Sequence, residues 1–369
     1  MEQSAIDEIL SYFAVEGNPV QATPFGSGHV NDTFRIVSEL SNGEHRIYTL
    51  QRINHSVFRK PQQVMDNIER TVEHLERRSA EDPEFRVLKL VRTKENRNCI
   101  RTFEGKWWRM YEFIDQAESY DNVTDPAIVY EAARGFARFQ NFMADLPLPR
   151  LHETIPYFHH TPMRYATLEE AAYLDIRGRV GEVVHELEFV RKRRHLIAHL
   201  LNRYLRGQIP ERITHNDTKI NNALFDPKTK RCVGVVDLDT VMPGLALYDF
   251  GDLCRTTCNT VDESEPDTEN VHFDMRMFEA AVSGYLDTAH FLVNAEVQEL
   301  AFSAWLLTFM VGIRFLTDYL QGDVYFKTHY AKQNLDRCRT QFKLVSRMEN
   351  VREEMQAVVW RCARATTRY

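Results

Sequence analysis

Apolar and polar positions alternate from about residue 20 to residue 115, in the runs TPFGSGHVNDTFRIV, EHRIYTLQRIN and CIRTFEGKWWRMYEFI. The alternating positions carry β-branched and aromatic residues and are separated by Gly and polar turns, which predicts strands. One segment breaks the alternation. PQQVMDNIERTVEHLERR sets Val64, Ile68, Val72 and Leu75 three and four apart behind Pro61, the pattern of an amphipathic helix. From about Pro126 the period becomes helical, as in EAARGFARFQNFMADL and VGEVVHELEFVRKRRHLIAHLLNRYL. The exception is residues 213–240, where ITHNDTKINNALFD, a polar turn at Pro227–Lys230 and CVGVVDLDT read as loop and hairpin. The expectation is an α+β chain of two lobes: a small antiparallel sheet with one helix over residues 1–115, then a larger, mainly helical lobe over 116–369.

Composition narrows the class of partner. With 46 Lys plus Arg against 53 Asp plus Glu, the net charge of −7 disfavours a nucleic-acid or anionic-membrane partner and suits a small substrate. The N-terminal MEQSAIDEILSYF carries acids where an export signal needs a basic start, so a cytoplasmic protein is expected. The most apolar stretch, Ala301–Ile313, falls short of the about 20 residues of a membrane span and reads as a buried helix. Six scattered cysteines, at 99, 232, 254, 258, 338 and 362, are expected as free thiols; the four-residue spacing of Cys254 and Cys258 lacks further soft ligands for a metal.

Chemistry concentrates in His215-Asn216-Asp217-Thr218-Lys219-Ile220-Asn221-Asn222, followed by Val235-Val236-Asp237-Leu238-Asp239. Phosphoryl transfer needs a carboxylate to position and deprotonate a hydroxyl, and oxygen ligands to hold magnesium against phosphates. Asp217 and Asn222 have the interval of the Asp and Asn in H-R-D-x-x-x-x-N, and a hairpin returns Asp237 to the same place. Asp and Asn also favour turns, but a turn has no need of Lys219, which can reach a transferring phosphoryl group. Asp239 reads equally as a second metal ligand or a hairpin polar residue.

Near the N-terminus, Phe25-Gly26-Ser27-Gly28-His29-Val30-Asn31 sets two glycines between strands, where backbone N–H groups can approach phosphate. A hairpin turn explains the same glycines. The next strand, Tyr48-Thr49-Leu50-Gln51-Arg52, has no Lys; Arg52 is the candidate phosphate cation, Glu69 its acidic partner, and Leu50 the residue facing adenine. The strand around Tyr111, Glu112, Phe113 and Ile114 is placed to pass the adenine edge, although such an apolar strand is also ordinary core. Asp249 in Tyr248-Asp249-Phe250-Gly251-Asp252 follows the hairpin too late for the metal and is expected to cap the next helix or brace the catalytic loop.

Through GSGHVNDTF, LQRIN, WRMYEFID, THNDTKINN, VVDLDTVMPG, YDFGD and IRFLTDYLQGDVYF, the chain resembles the aminoglycoside phosphotransferase and choline kinase superfamily, and within it the N-acetylhexosamine 1-kinases. The resemblance implies a protein-kinase-like fold, Asp217 as base, and Asn222 and Asp237 as magnesium ligands. It implies transfer of the ATP γ-phosphate to the anomeric hydroxyl of N-acetylglucosamine or N-acetylgalactosamine. Sugar contacts are expected from His29, Asn31, Asp252, Arg255, Arg314, Asp318 and Tyr319, and the protein as monomer or dimer. Typical aminoglycoside kinases have His-Gly-Asp where Asn216 stands here, which argues against antibiotic modification. A kinase of the same fold for choline, an aminoglycoside or homoserine remains open; the acidic stretch 262–269 keeps the aminoglycoside reading alive, although a solvated loop explains it more simply; a catalytically inactive nucleotide-binding protein is the reading suggested by the missing Lys.

Overall fold

A computed structural model describes residues 3–26 and 30–366, so Ser27, Gly28 and His29 of the glycine loop lie outside the described residues. Five antiparallel strands form the N-terminal sheet: β1 (Asn18–Pro24), β2 (Asp32–Glu39), β3 (His45–Ile53), β4 (Ile100–Arg101) and β5 (Trp107–Glu112), in the order β1-β2-β3-β5-β4. Strand side chains alternate between faces, and here both faces are covered. On the outer face Phe34, Ile36, Leu50, Trp108 and Met110 pack against α1 (Gln3–Leu10) through Ile6, Ile9 and Leu10. This helix was not expected from the sequence. The inner face sends Ile53 and Tyr111 into the main core, shared with Val64, Ile68, Val72 and Leu75 of α2 (Pro61–Arg78), the stripe that the three-and-four spacing predicts.

The rest is helical apart from two short ladders, which together give the two-lobe α+β fold. Its first helix, α3 (Pro126–Met143), starts with Asp125 accepting from the Ala127 N–H at 2.9 Å and Pro126 in the first turn, a site where the missing N–H costs nothing. Next comes α4 (Thr161–Leu174). The helix Leu300–Gln321 is long and apolar enough to cross a membrane, but 89% of its apolar window is buried within the protein, as the centre of the helical lobe. It packs against the helices Ala246–Thr257 and Gln333–Asn350. All six cysteines are free and buried.

Candidate active site

Two short ladders bring the catalytic segments together. β6 (Arg212–Thr214) pairs with β9 (Met242–Gly244), and β7 (Ala223–Phe225) pairs with β8 (Cys232–Val235). The loops 215–222 and 236–241 are each strung between the same two ladders, so Asp217 and Asp237 share one small space. The loops are also zipped to each other: Val236 N donates to Asn222 O at 2.9 Å, the His215 ring meets Val236 O at 2.9 Å, and Thr240 Oγ1 donates to His215 O at 2.7 Å. Asn216 and Asp237 adopt left-handed backbone, with φ of 65° and 63°. Asn tolerates that region better than most residues, and the Asn216 amide adds bonds to Thr240 O at 2.9 Å and Thr214 O at 3.2 Å.

Below the loop, Asp249 accepts from the N–H groups of His215 at 2.9 Å and Asn216 at 2.7 Å, and from Gln140 at 2.5 Å. It braces the catalytic loop from within the helix Ala246–Thr257 and does not cap it. Burial pushes its carboxyl up to about 7 against those hydrogen bonds. Asp217 is only partly exposed, and Asn222 Nδ2 donates to its Oδ2 at 3.0 Å. That bond turns the Asn222 amide oxygen away from Asp217, toward other partners. The Asp237 side chain reaches solvent but is recessed, and the protein around it, with Asp239 and Asp217, pushes its carboxyl up to about 7; Arg109 and Lys219 pull it down. Arg109 is engaged by the buried Asp239, which leaves Asp217 and Asp237 facing Lys219 in the open part of the site.

On the sheet side, the pairing expected between Arg52 and Glu69 does not form. Arg52 follows Leu50 onto the outer face and pairs with Asp32, while Glu69 pairs with Arg92 and accepts from Asn98. Leu50, expected at adenine, is fully buried under α1 for the same reason. Strand parity gives the inner face to Gln51. Its register partners are Thr33 and Arg109, and side-chain bonds run along that row: Gln51 Nε2 donates to Thr33 Oγ1 at 3.1 Å, and Arg109 Nε to Gln51 Oε1 at 3.0 Å. Arg109 is 1% exposed and pairs with Asp239, which also accepts from Asn31 Nδ2 at 2.7 Å. Asp239 is therefore a hub for sheet and glycine-loop contacts. In the linker, Glu112 N and Phe113 N donate to Lys89 O and Ile47 O, and the Phe113 ring meets Phe25 at 5.5 Å beside Gly26, whose φ of 82° suits a residue without Cβ.

Most residues expected at the sugar are engaged within the protein. Asp252 accepts from Thr218 N at 3.0 Å and Arg255 Nε at 2.9 Å, and Arg255 also pairs with Glu263. Burial opposes the Asp252 charge, but Arg255, His159 and Lys219 outweigh it and hold its carboxyl below the usual range. Asp318 accepts from Val324 N at 2.9 Å, Tyr325 N at 2.8 Å and Phe326 N at 3.0 Å, building the turn after the long helix. The Tyr319 hydroxyl donates to Glu182 at 3.1 Å beneath Arg179. Arg314 is different: its guanidinium lies over Phe158, Tyr325 and Phe326 at 4.8, 5.4 and 5.3 Å. Arg164, at the start of α4, bonds Phe158 O, and burial with the nearby Arg314 brings its pKa down to about 10. Neither guanidinium has a carboxylate partner among the described residues. Beside them His159 meets Asn216 O through Nε2 at 3.0 Å, and its Nδ1 is buried without a partner.

A model of the phosphotransferase enzyme family, APH, matches residues 21–292, well over half of the chain. The chain belongs to this family. Its fold is shared by a microcompartment-associated aminopropanol kinase, 16% identical over 96% of this chain and 99% of that one, with a TM-score of 0.65. An aminoglycoside phosphotransferase from Alicyclobacillus acidocaldarius is 14% identical over 98% and 96% of the two chains, TM-score 0.59. An amicoumacin kinase solved with AMP-PNP and Ca2+ is 10% identical over 93% of each, TM-score 0.57. The chain is thus a member of a phosphotransferase family and has a kinase fold. Its oxygen donors, Asn222 and Asp237, with the ionisable Asp217 alongside, fit a hard divalent cation that takes one or two protein ligands and completes its shell with phosphates and water. Reading the sequence alone passed over Arg109, Arg164 and His159. Arg109 has a signal in retrospect: it is the only charged position inside the aromatic run WWRMY.

Proposed function

We propose that the protein transfers the γ-phosphate of ATP, as its magnesium complex, to the anomeric C1 hydroxyl of an N-acetylhexosamine. Asp217 is the base. Its Oδ2, oriented by the Asn222 amide, takes the proton of the attacking hydroxyl, and its low exposure keeps bulk water from competing for that proton. Asn222 through its amide oxygen and Asp237 through its carboxylate would hold the magnesium, which neutralises charge on the phosphates. Lys219, beside Asp237 and Asp252, would meet the transferring phosphoryl group.

The observation that carries the choice of acceptor is the pair of guanidiniums without carboxylates, Arg164 and Arg314, joined to the catalytic loop through His159 and Asn216. A cationic acceptor such as choline, ethanolamine or an aminoglycoside would be repelled there. An oxygen-rich neutral acceptor would accept from them, and Phe158, Tyr325 and Phe326 offer the apolar faces a sugar ring packs on. Within the acidic stretch 262–269, Glu263 pairs with Arg255 and Glu269 with Lys343. Together with the likeness of the sequence blocks, this favours the N-acetylhexosamine reading over other alcohol kinases of the fold.

The test is a magnesium-dependent ATP assay against N-acetylglucosamine, N-acetylgalactosamine, glucose, galactose, choline, ethanolamine and kanamycin, with phosphorus NMR on the product. A sugar 1-phosphate from the N-acetylated pair is expected. Turnover confined to a cationic alcohol would discard the sugar reading and leave the family untouched.

A further inference from the structure

The cation that β3 lacks stands one strand away. Thr33, Gln51 and Arg109 occupy one register row across β2, β3 and β5, all on the inner face. At the β3 position of that row, where a kinase lysine is expected, stands the neutral Gln51, and it serves as hydrogen-bond acceptor for the Arg109 Nε–H at 3.0 Å. Arg109 then leaves the sheet and pairs with Asp239, which is two residues from Asp237 and 2% exposed. Asp239 also receives Asn31, at the end of the glycine loop, at 2.7 Å, and its backbone carbonyl accepts from Thr154 Oγ1 at 2.9 Å. The side chains that meet the Asp239 carboxylate come from the sheet and the glycine loop, the elements that would touch nucleotide, while Thr154, from the segment before α4, holds only its backbone.

We propose that Arg109 is a positioning residue for phosphoryl transfer: through Asp239 it sets the Asp237 turn against the sheet, a role distinct from that of a β3 lysine that contacts the phosphates itself. The proposal rests on Asp237 handling the metal-bound phosphates and is independent of which alcohol is the acceptor. Arg109 itself need not touch the nucleotide. Its planar fork serves Gln51 and Asp239 at once, which a lysine ammonium reproduces poorly.

The test uses the full chain with Arg109→Lys, Arg109→Gln, Asp239→Asn and the double variant Arg109→Gln/Asp239→Asn, following magnesium-dependent binding of a fluorescent ATP analogue alongside turnover and thermal unfolding. Each folded single variant is expected to need about 10-fold more magnesium for half-maximal nucleotide binding, the usual effect of removing a residue that orients a metal ligand. The acceptor KM should stay within about twofold, and the double variant should bind no worse than the poorer single, since both changes break one coupling. The double variant also removes both buried charges together, so it should fold even if Arg109→Gln alone does not. Unchanged magnesium dependence with only a lowered unfolding temperature would reduce the pair to a structural role. Loss confined to Asp239→Asn, with Arg109→Lys normal, would make Asp239 a direct ligand and overturn the proposal. Because nucleotide binding is read without an acceptor, failure of the sugar assay leaves this result interpretable.

Discussion

Asn216, the residue before Asp217, shows how backbone conformation selects a side chain. Asn216 sits at φ 65° and donates through its amide to two backbone oxygens, at 2.9 and 3.2 Å. Asn216→Ala meets both penalties and should cost roughly 2–4 kcal/mol, from left-handed strain and lost hydrogen bonds. Asn216→Gly relieves the strain and should cost less; chemical denaturation of the two variants measures the order, and Ala being the milder change would contradict it. His159 supplies a pH signature. Burial pushes its imidazole from its ordinary 6.5 down to about 3, so it stays neutral in the folded protein and donates Nε2–H to Asn216 O. In the unfolded chain it protonates near 6.5. The unfolded state therefore binds the extra proton below that pH, and the stability contributed by neutral His159 is full above about 6.5 and lost as pH falls toward about 3. The slope from this one group is about 1.4 kcal/mol per pH unit. His159→Gln keeps a donor and removes the titration, so its stability should fall less steeply between pH 6 and 4 than that of the parent protein.

Strand parity decides what an element contributes, and it is where reading the sequence succeeded and failed most clearly. The alternating runs located the strands, and the spacing of Val64, Ile68, Val72 and Leu75 located α2 and its buried stripe. The segments 215–222 and 236–241 were legible because their chemistry is local. Which face of β3 looks at the cleft was not, because a shift of one residue exchanges the faces. Both faces are partly apolar here, owing to α1, so hydrophobicity alone does not rank Arg52 against Gln51. The sugar-side assignments meet another difficulty: Asp252, Arg255 and Asp318 satisfy buried backbone and one another here, and no one-dimensional pattern separates that use from ligand binding. Gly251 illustrates a role that appears only on packing. A Cβ there would stand 2.5 Å from Ser303 O on the long helix, so Gly251→Ala must push two core helices apart and should cost about 1–3 kcal/mol. Thermal unfolding tests this, and a neutral result would mean that the helices can slide.

Across the whole molecule, the two lobes meet through polar groups converging on the turn that carries Asp237. Besides the Arg109 and Asn31 contacts on Asp239, Asn67 of α2 is fully buried and donates to Val241 O at 2.9 Å and His152 O at 2.8 Å, while accepting from His152 N at 2.9 Å. Asn67→Ala would leave these buried groups unpaired, at about 1–3 kcal/mol for each that water does not reach. The seam should weaken together with nucleotide affinity, which calorimetry on the folded variant can follow. Base chemistry should separate from this architecture. On the proposed mechanism Asp217, oriented by Asn222, acts on the acceptor, and the sheet and the Asp237 turn would hold the nucleotide. Asp217→Asn keeps the shape and removes the proton acceptor, so turnover should fall by about 10²–10⁴-fold or more. Nucleotide affinity should change little. A parallel loss of nucleotide binding would mean that the carboxylate serves the metal, because a ligand lost from the metal weakens the nucleotide complex before any hydroxyl is attacked.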